Sequence, residues 1–262
     1  MLQHTFVHVP GVGRSTESAL WESGARHWDE FGALRTKGQL QGGRYESVAA
    51  AIDESRAALK RKDPGPGYFW RSLPNSEHWR LFEEFVDLAA FVDIETTGLS
   101  SDADEITVVA MCANNTTHTF VLGKDLDRFP EAVAKYPLVV TFNGACFDLP
   151  FLARKFRGYR PPAHVDLRYP LKRLGYSGGL KSVERQAGVK RPTRLQEVDG
   201  WEAVRLWHAY KRGDKGALDL LLEYARADVE NLAPLARLVA TRLASELGFP
   251  RRTCMWGGLS AR

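Results

Sequence analysis

The sequence has no apolar run close to the roughly twenty residues that a membrane-spanning helix needs. Its first residues, MLQHTFVHVPGVG, lack the basic start and apolar core of a secretory leader. Both absences predict a soluble, cytoplasmic protein. Cysteine is scarce: Cys112, Cys146 and Cys254 are odd in number, far apart and without CxxC spacing, which argues against a disulfide framework or a zinc knuckle. Free thiols fit a reducing compartment. No internal repeat marks a solenoid or propeller. A strong charge of either sign is missing as well, since the formal net charge is only +4, an excess that would assist contact with a polyanion without singling one out.

What is present is 262 residues with 44% hydrophobic content, enough for one large core with appendages or two small ones. The chain divides by texture. Residues 1–34 hold the turn signal PGVG and two short segments with helix-like apolar spacing around Leu20, Trp21, Trp28 and Phe31. MLQHTFVHV reads as a strand. Residues 35–88 form a helical connector, with a helix from about Tyr45 to Lys62, the breaker DPGPG at Asp63 to Gly67, and a helix capped by Asn75 or Ser76 running through HWRLFEEFVDL. Residues 89–246 alternate short apolar runs with helical patterns, the appearance of an α/β domain. The expected strands are AAFVDI, EITVVAMCA, THTFVL, LVVTF and AHVDL. Three in close succession, then strand, helix and strand, predict a mixed sheet with an antiparallel part. Residues 247–262 form a tail without a clear pattern.

The first apolar run of that domain ends in DIETTGLS. Residues two apart on a strand share a face, so Asp93 and Glu95 place two carboxylates side by side. Like charges this close repel unless a cation sits between them, and hard ions such as Mg²⁺ or Mn²⁺ favour such oxygen ligands. Two more acids follow. Asp148 opens a helix after LVVTFNGACF, where it also suits an N-cap, and Asp228 lies on the long last helix, one turn beyond Tyr224 and on the same face. Taken singly, either is an ordinary structural acid, and the buried face of a helix is an ordinary place for a tyrosine. Their conjunction with the DxE pair, in this order, is what points to a shared site.

DIETTGL, NGACFD and YARAD resemble the three exonuclease motifs of the DEDD superfamily, and together they cover roughly Phe91 to Leu235. The Tyr-x-x-x-Asp form, with Glu223 where a His-x-x-x-x-Asp motif would have its histidine, resembles the tyrosine subclass. HWRLFEEFVDLAAFVDIETTGL and LKSVERQAGVKR further resemble the YprB-like branch of ribonuclease H-like proteins. The resemblance implies a ribonuclease H-like fold, a mixed β-sheet flanked by helices, with a small helical N-terminal region. It also implies that Asp93, Glu95, Asp148 and Asp228 hold two divalent ions, Mg²⁺ or Mn²⁺, while Tyr224 orients or activates the attacking water. The activity implied is a metal-dependent 3′→5′ exonuclease releasing nucleoside 5′-monophosphates from single-stranded nucleic acid, DNA being favoured over RNA. Two rivals stay open: a catalytically weak nucleic-acid-binding module of a DNA-processing assembly, and a structure-specific endonuclease on the same fold.

Substrate contacts follow from the same likeness. Thr96, Thr97 and Gly98 would meet the terminal nucleotide and Leu99 would pack on its base, with a purely structural turn as the competing reading. Asn143 and Phe147 match substrate-facing positions, although Asn143 also suits a tight turn and Phe147 a helix staple. Among the basic clusters, Lys60-Arg61-Lys62, Arg154-Lys155, Arg157, Lys172-Arg173, Lys181, Lys190-Arg191 and Arg251-Arg252, most are solvated faces, and Arg154 to Arg160 and Lys181 are the candidates for phosphate contacts. Trp70, Tyr159 and Tyr176 offer stacking surfaces or core packing. HVPGVGRSTESALWESG resembles part of a helix-hairpin-helix module, in which Gly11 and Gly13 would present backbone N–H groups to a phosphate. The alternative is a turn leading into a helix that packs Trp21 and Trp28 inward.

Overall fold

The computed structural model describes residues 1–36, 42–61, 65–196 and 198–249. The tail with Cys254 and Arg251-Arg252, and the Lys62, Asp63 and Pro64 part of the connector, lie outside the described residues.

The N-terminal region carries helices α1 (Arg14–Glu22), α2 (Ala33–Thr36), α3 (Gly43–Leu59), α4 (Gly65–Ser72) and α5 (Leu81–Phe85). The strand expected in MLQHTFVHV is not formed. Leu2–His4 is a 3₁₀ turn, and the N–H groups of Phe6 and Val7 donate to Glu17 Oε1 at 2.6 and 3.3 Å, so a buried carboxylate does the work of a partner strand. Glu17 is in turn held by Arg80, with Nη1–Oε1 2.8 Å and Nη2–Oε2 2.9 Å. The helix expected through HWRLFEEFVDL is broken into a 3₁₀ segment Asn75–Arg80, then α5, then a 3₁₀ turn Val86–Leu88. Because side chains three apart eclipse on a 3₁₀ helix, Glu77 reaches Arg80 Nε at 2.7 Å. Trp21 and Trp28 point inward and donate their indole N–H groups to the carbonyls of His4 and Thr5.

The sheet contains β1 (Ala89–Thr96), β2 (Ile106–Ala113), β3 (Thr116–Val121), β4 (Leu138–Thr141) and β5 (Ala163–Asp166), in spatial order β3-β2-β1-β4-β5. β1, β2 and β3 are antiparallel neighbours, whereas β1–β4 and β4–β5 run parallel, the mixed arrangement that the sequence predicts. Asn114 and Asn115, both at positive φ, make the two-residue turn that lets β2 and β3 pair directly, a conformation asparagine tolerates better than most residues. Chain crossings to β4 and β5 use α6 (Phe129–Val133) and α7 (Asp148–Lys155). After β5 come α8 (Arg168–Arg173), α9 (Leu180–Ala187), α10 (Gly200–Lys211) and the 32-residue α11 (Lys215–Glu246), capped by Asp214, whose side chain accepts from the Ala217 N–H.

Two apolar layers separate along the strands. Ala90, Val92 and Ile94 pack with Phe129, Phe151 and Leu152 from α6 and α7. Ala89 and Phe91 face the opposite layer, built from the buried stripe of α11 that includes Leu221, Ala225, Val229 and Leu232. Strand alternation therefore carries Asp93 and Glu95, the next members of the Ala89 and Phe91 row, onto the α11 side. β1 pairs with β4 only from Ala89 to Phe91, but with β2 through Thr96, and a register slip between Glu95 and Thr96 leaves Thr107 of β2 without an opposite residue.

Candidate active site

Three elements deliver the acids. Asp93 and Glu95 project from the end of β1, Asp148 is the first residue of α7, and Asp228 lies on the buried stripe of α11 one turn after Tyr224. One oxygen from each of Asp93, Glu95 and Asp228 lies within 4.8 Å of the others. Asp148 borders the same cleft but is outside that trio; the N–H groups of Ile94 and of Asp148 itself lie against its carboxylate and stabilise the charge. Asp93 is partly open to the cleft, while Glu95, Asp148 and Asp228 are buried.

Burial and mutual repulsion govern the protonation of this cluster. Asp93 and Glu95 are pushed well above the usual carboxylate range, first by loss of water and then by the charges of Asp228 and Asp148. Burial raises Asp148 to about 7 and Asp228 to about 6, the latter restrained by the Arg191 guanidinium. Tyr224 is displaced upward from its ordinary value by burial and by Asp228, Glu95 and Asp93, so its phenol keeps its proton throughout the neutral range. Oxygen donors alone, four carboxylates outnumbering the nearby cations Arg191 and Lys181, fit a hard divalent cation, which would offset both the burial and the repulsion.

The cleft above the acids encloses about 500 Å³. Leu99, 70% exposed, and Trp201, 59% exposed, both line it, an unusual exposure for such large apolar groups. Phe147 and Asn143 line it as well. Asn143 adopts positive φ, and its side-chain oxygen accepts from Arg168, while its N–H and that of Ala145 donate to the Asp166 carboxylate at 2.7 and 3.1 Å. Asp166 also accepts from the Arg168 N–H, so this acid shapes the turn before α7 and caps α8.

The Thr96 to Leu99 stretch is a turn held by its own hydroxyls. Thr96 Oγ1 donates to the Gly98 carbonyl at 2.5 Å, and Thr97 Oγ1 donates to Asp104 at 3.1 Å. Gly98 lies so close to the Asp104 carboxylate that a Cβ there would sit 2.5 Å from its oxygens. The turn thus presents Leu99 outward, held by the Thr96 and Thr97 hydroxyls, while Thr96 and Gly98 also line the cleft. Lys181 places Nζ 5.0 Å from the Tyr224 ring centre and donates to the carbonyls of Leu195 and Gln196, at 3.2 and 3.5 Å. Arg154 donates to the carbonyls of Ser101 and Asp104, on the loop that follows this turn. Tyr159 packs edge-on against Phe129, and Trp70 lies tilted against His78.

Two residues at the site have no counterpart among those singled out by sequence. Trp201 sits in the first turn of α10, off the stripe of Ala203, Leu206 and Trp207 that this helix buries. That mismatch with the helical period is a signal the sequence carries. Arg191, one of the basic pairs read as solvated, is instead buried and ion-paired to both Asp228 and Glu184. The stretch LKSVERQAGVKR carries both Glu184 and Arg191, but its spacing alone does not pair them with each other or with Asp228.

A family model described as RNase_H superfamily matches residues 90–240. No curated protein matches the sequence significantly. Among solved structures, the family B DNA polymerase from the hyperthermophilic archaeon Pyrobaculum calidifontis is similar at 18% identity and a TM-score of 0.48, over 58% of this chain and 24% of that one. The chain thus spans about a quarter of that polymerase's length. With a family match over more than half of its residues and a five-stranded mixed sheet flanked by helices, the chain belongs to the RNase H superfamily.

Proposed function

We infer that this protein is a metal-dependent 3′→5′ exonuclease of the tyrosine DEDD subclass, within the YprB-like branch, acting on single-stranded nucleic acid with DNA preferred. The observation that carries this reading is the convergence of Asp93, Glu95 and Asp228 beside Tyr224, under a cleft flanked by Leu99 and Trp201. The four acids would hold two Mg²⁺ or Mn²⁺ ions. When bound, such ions polarise the phosphodiester, lower the pKa of water and offset the charge of the leaving oxygen.

The chain's own groups supply the rest. Leu99 and Trp201 grip the terminal base from the cleft walls, using stacking that tolerates any base. Tyr224, fixed in its protonated form, orients the attacking water by hydrogen bonding and does not serve as its base. Water attacks the terminal phosphorus and gives up a proton to solvent, the bond to the 3′ oxygen of the preceding nucleotide breaks, and that oxygen takes up a proton from solvent. Residues 89–246 form the nuclease domain in this reading. The described residues of 1–88 form a support packed on it, held together internally by the Glu17–Arg80 pair.

The deciding experiment incubates the protein with 5′-labelled single-stranded DNA and RNA and either Mn²⁺ or Mg²⁺. A ladder of shortened products is expected. Internal cuts would replace the exonuclease with an endonuclease, and intact substrate that is nevertheless bound would leave a binding module.

A further inference from the structure

Arg191 is a cation built into the acidic site. Its side chain is 5% exposed, and its Nε and Nη2 grip Glu184 at 3.0 and 2.8 Å, a two-point fork that fixes the guanidinium plane. Glu184 is locked from the other side by Asn231 Nδ2 at 3.0 Å, and Asn231 lies one turn beyond Asp228 on α11. Nη2 also bonds Asp228 Oδ1, and the guanidinium carbon lies 5.4 Å from the centre of the Tyr224 ring. One arginine therefore pairs with the last acid and faces the tyrosine ring, while its plane is fixed by Glu184. Nη1, also buried, has no hydrogen-bond partner among the described residues.

We propose that Arg191 is a positioning residue: held by Glu184 and Asn231, it occupies one lone pair of Asp228 and sets the orientation in which that carboxylate meets a divalent ion. This deepens the exonuclease reading and rests on it for the catalytic consequence. Two effects follow with opposite signs. The positive charge of Arg191 reduces the pull of the acids on a metal, yet its fork holds Asp228 in the geometry that turnover needs. Loss of the charge strengthens metal binding while weakening catalysis, a combination that general loosening of the fold does not produce.

The test measures Mn²⁺ affinity by calorimetric titration, alongside kcat and KM at saturating Mn²⁺, for the full chain and three variants. Arg191→Gln binds Mn²⁺ about tenfold more tightly, the scale of one unit charge acting across a partly shielded site, while kcat falls at least about tenfold with KM little changed. Arg191→Lys keeps the charge without the fork, so Mn²⁺ affinity stays near that of the wild type and kcat is not rescued. Glu184→Gln leaves Asp228 as the remaining carboxylate on the guanidinium, and Mn²⁺ binds more weakly. Shifts of the same sign in Arg191→Gln and Glu184→Gln, or wild-type kcat in Arg191→Lys, overturn the proposal. Should Arg191→Gln fail to fold, Arg191→Lys and Glu184→Gln still decide it. A wild-type protein that cleaves no nucleic acid sinks the exonuclease reading alone, because the opposed Mn²⁺ shifts remain measurable.

Discussion

Tyr224 stands one turn ahead of Asp228 on the buried face of α11, and the charge of Asp228 helps to hold the phenol in its protonated form. A tyrosine in that state contributes a hydrogen bond rather than a proton vacancy. Tyr224→Phe is expected to lower kcat by about 10- to 100-fold while leaving Mn²⁺ affinity in a calorimetric titration unchanged. The pH–rate profile of the wild type should show no limb belonging to a tyrosine. A Phe variant with full turnover would remove Tyr224 from the chemistry.

The acids also predict how the metal-free protein responds to pH. In the unfolded chain these carboxylates titrate near about 4. In the fold Asp228 titrates at about 6, Asp148 at about 7, and Asp93 and Glu95 well above their ordinary values. The native state binds protons more tightly, so this contribution to stability is complete below the unfolded value and is lost as pH rises through the folded ones. The melting temperature of the metal-free protein should therefore fall from about pH 5 to about pH 8, and Mn²⁺ at the upper end should restore it. Asp93→Asn should flatten the fall and abolish turnover. A melting temperature that is level across this window, without metal, would contradict the assigned protonation.

Trp201 supplies a prediction about binding alone. Replacing it with alanine removes one wall of the cleft without touching an acid, and should weaken binding of a single-stranded oligonucleotide by about 1–3 kcal/mol. Mn²⁺ affinity should stay as in the wild type. Fluorescence anisotropy with labelled oligonucleotides measures the first and calorimetry the second; equal oligonucleotide affinities would free Trp201 of any role.

How much of this was legible in the sequence depended on the range of the interaction. The five strands and the long last helix follow from local alternation and helical period, and they form as predicted. The pairing of Asp93 with Glu95 needs only strand geometry. Arg191 was hidden because its partners, Glu184 and Asp228, are joined by folding across two helices, and a basic pair in a polar stretch looks like any solvated surface. MLQHTFVHV misled for a related reason: its apolar alternation suits a strand, but Glu17 satisfies two of its backbone N–H groups and, among the described residues, no strand pairs with it. Trp201 fell between these cases, visible only when the buried stripe of α10 is known.

Glu17 and Arg80 give the stability prediction. Both are almost wholly buried, and Arg80 also serves Glu77 and Thr5. Arg80→Met leaves Glu17 without its cation inside the protein, while Glu77 keeps Arg14, and should cost about 3–5 kcal/mol, read as a lower urea midpoint. Glu17→Gln keeps a polar partner for Arg80 and should cost less. A midpoint unchanged in Arg80→Met would show that the network adds nothing to the fold.

The strand that carries the first two acids is supported unevenly. β1 leaves β4 after Phe91 but runs alongside β2 to Thr96, so its loaded end is mounted like a cantilever, braced on one flank. The braces have names: Ala110 stands opposite Asp93 and Val108 opposite Glu95, both fully buried in β2. A methyl group added at Ala110 would bear on the mounting of Asp93 without adding or removing a charge. Mechanical adjustment of the acids is thus available from a neighbouring strand, away from the cleft, where substitutions can retune the cluster while every acid stays in place.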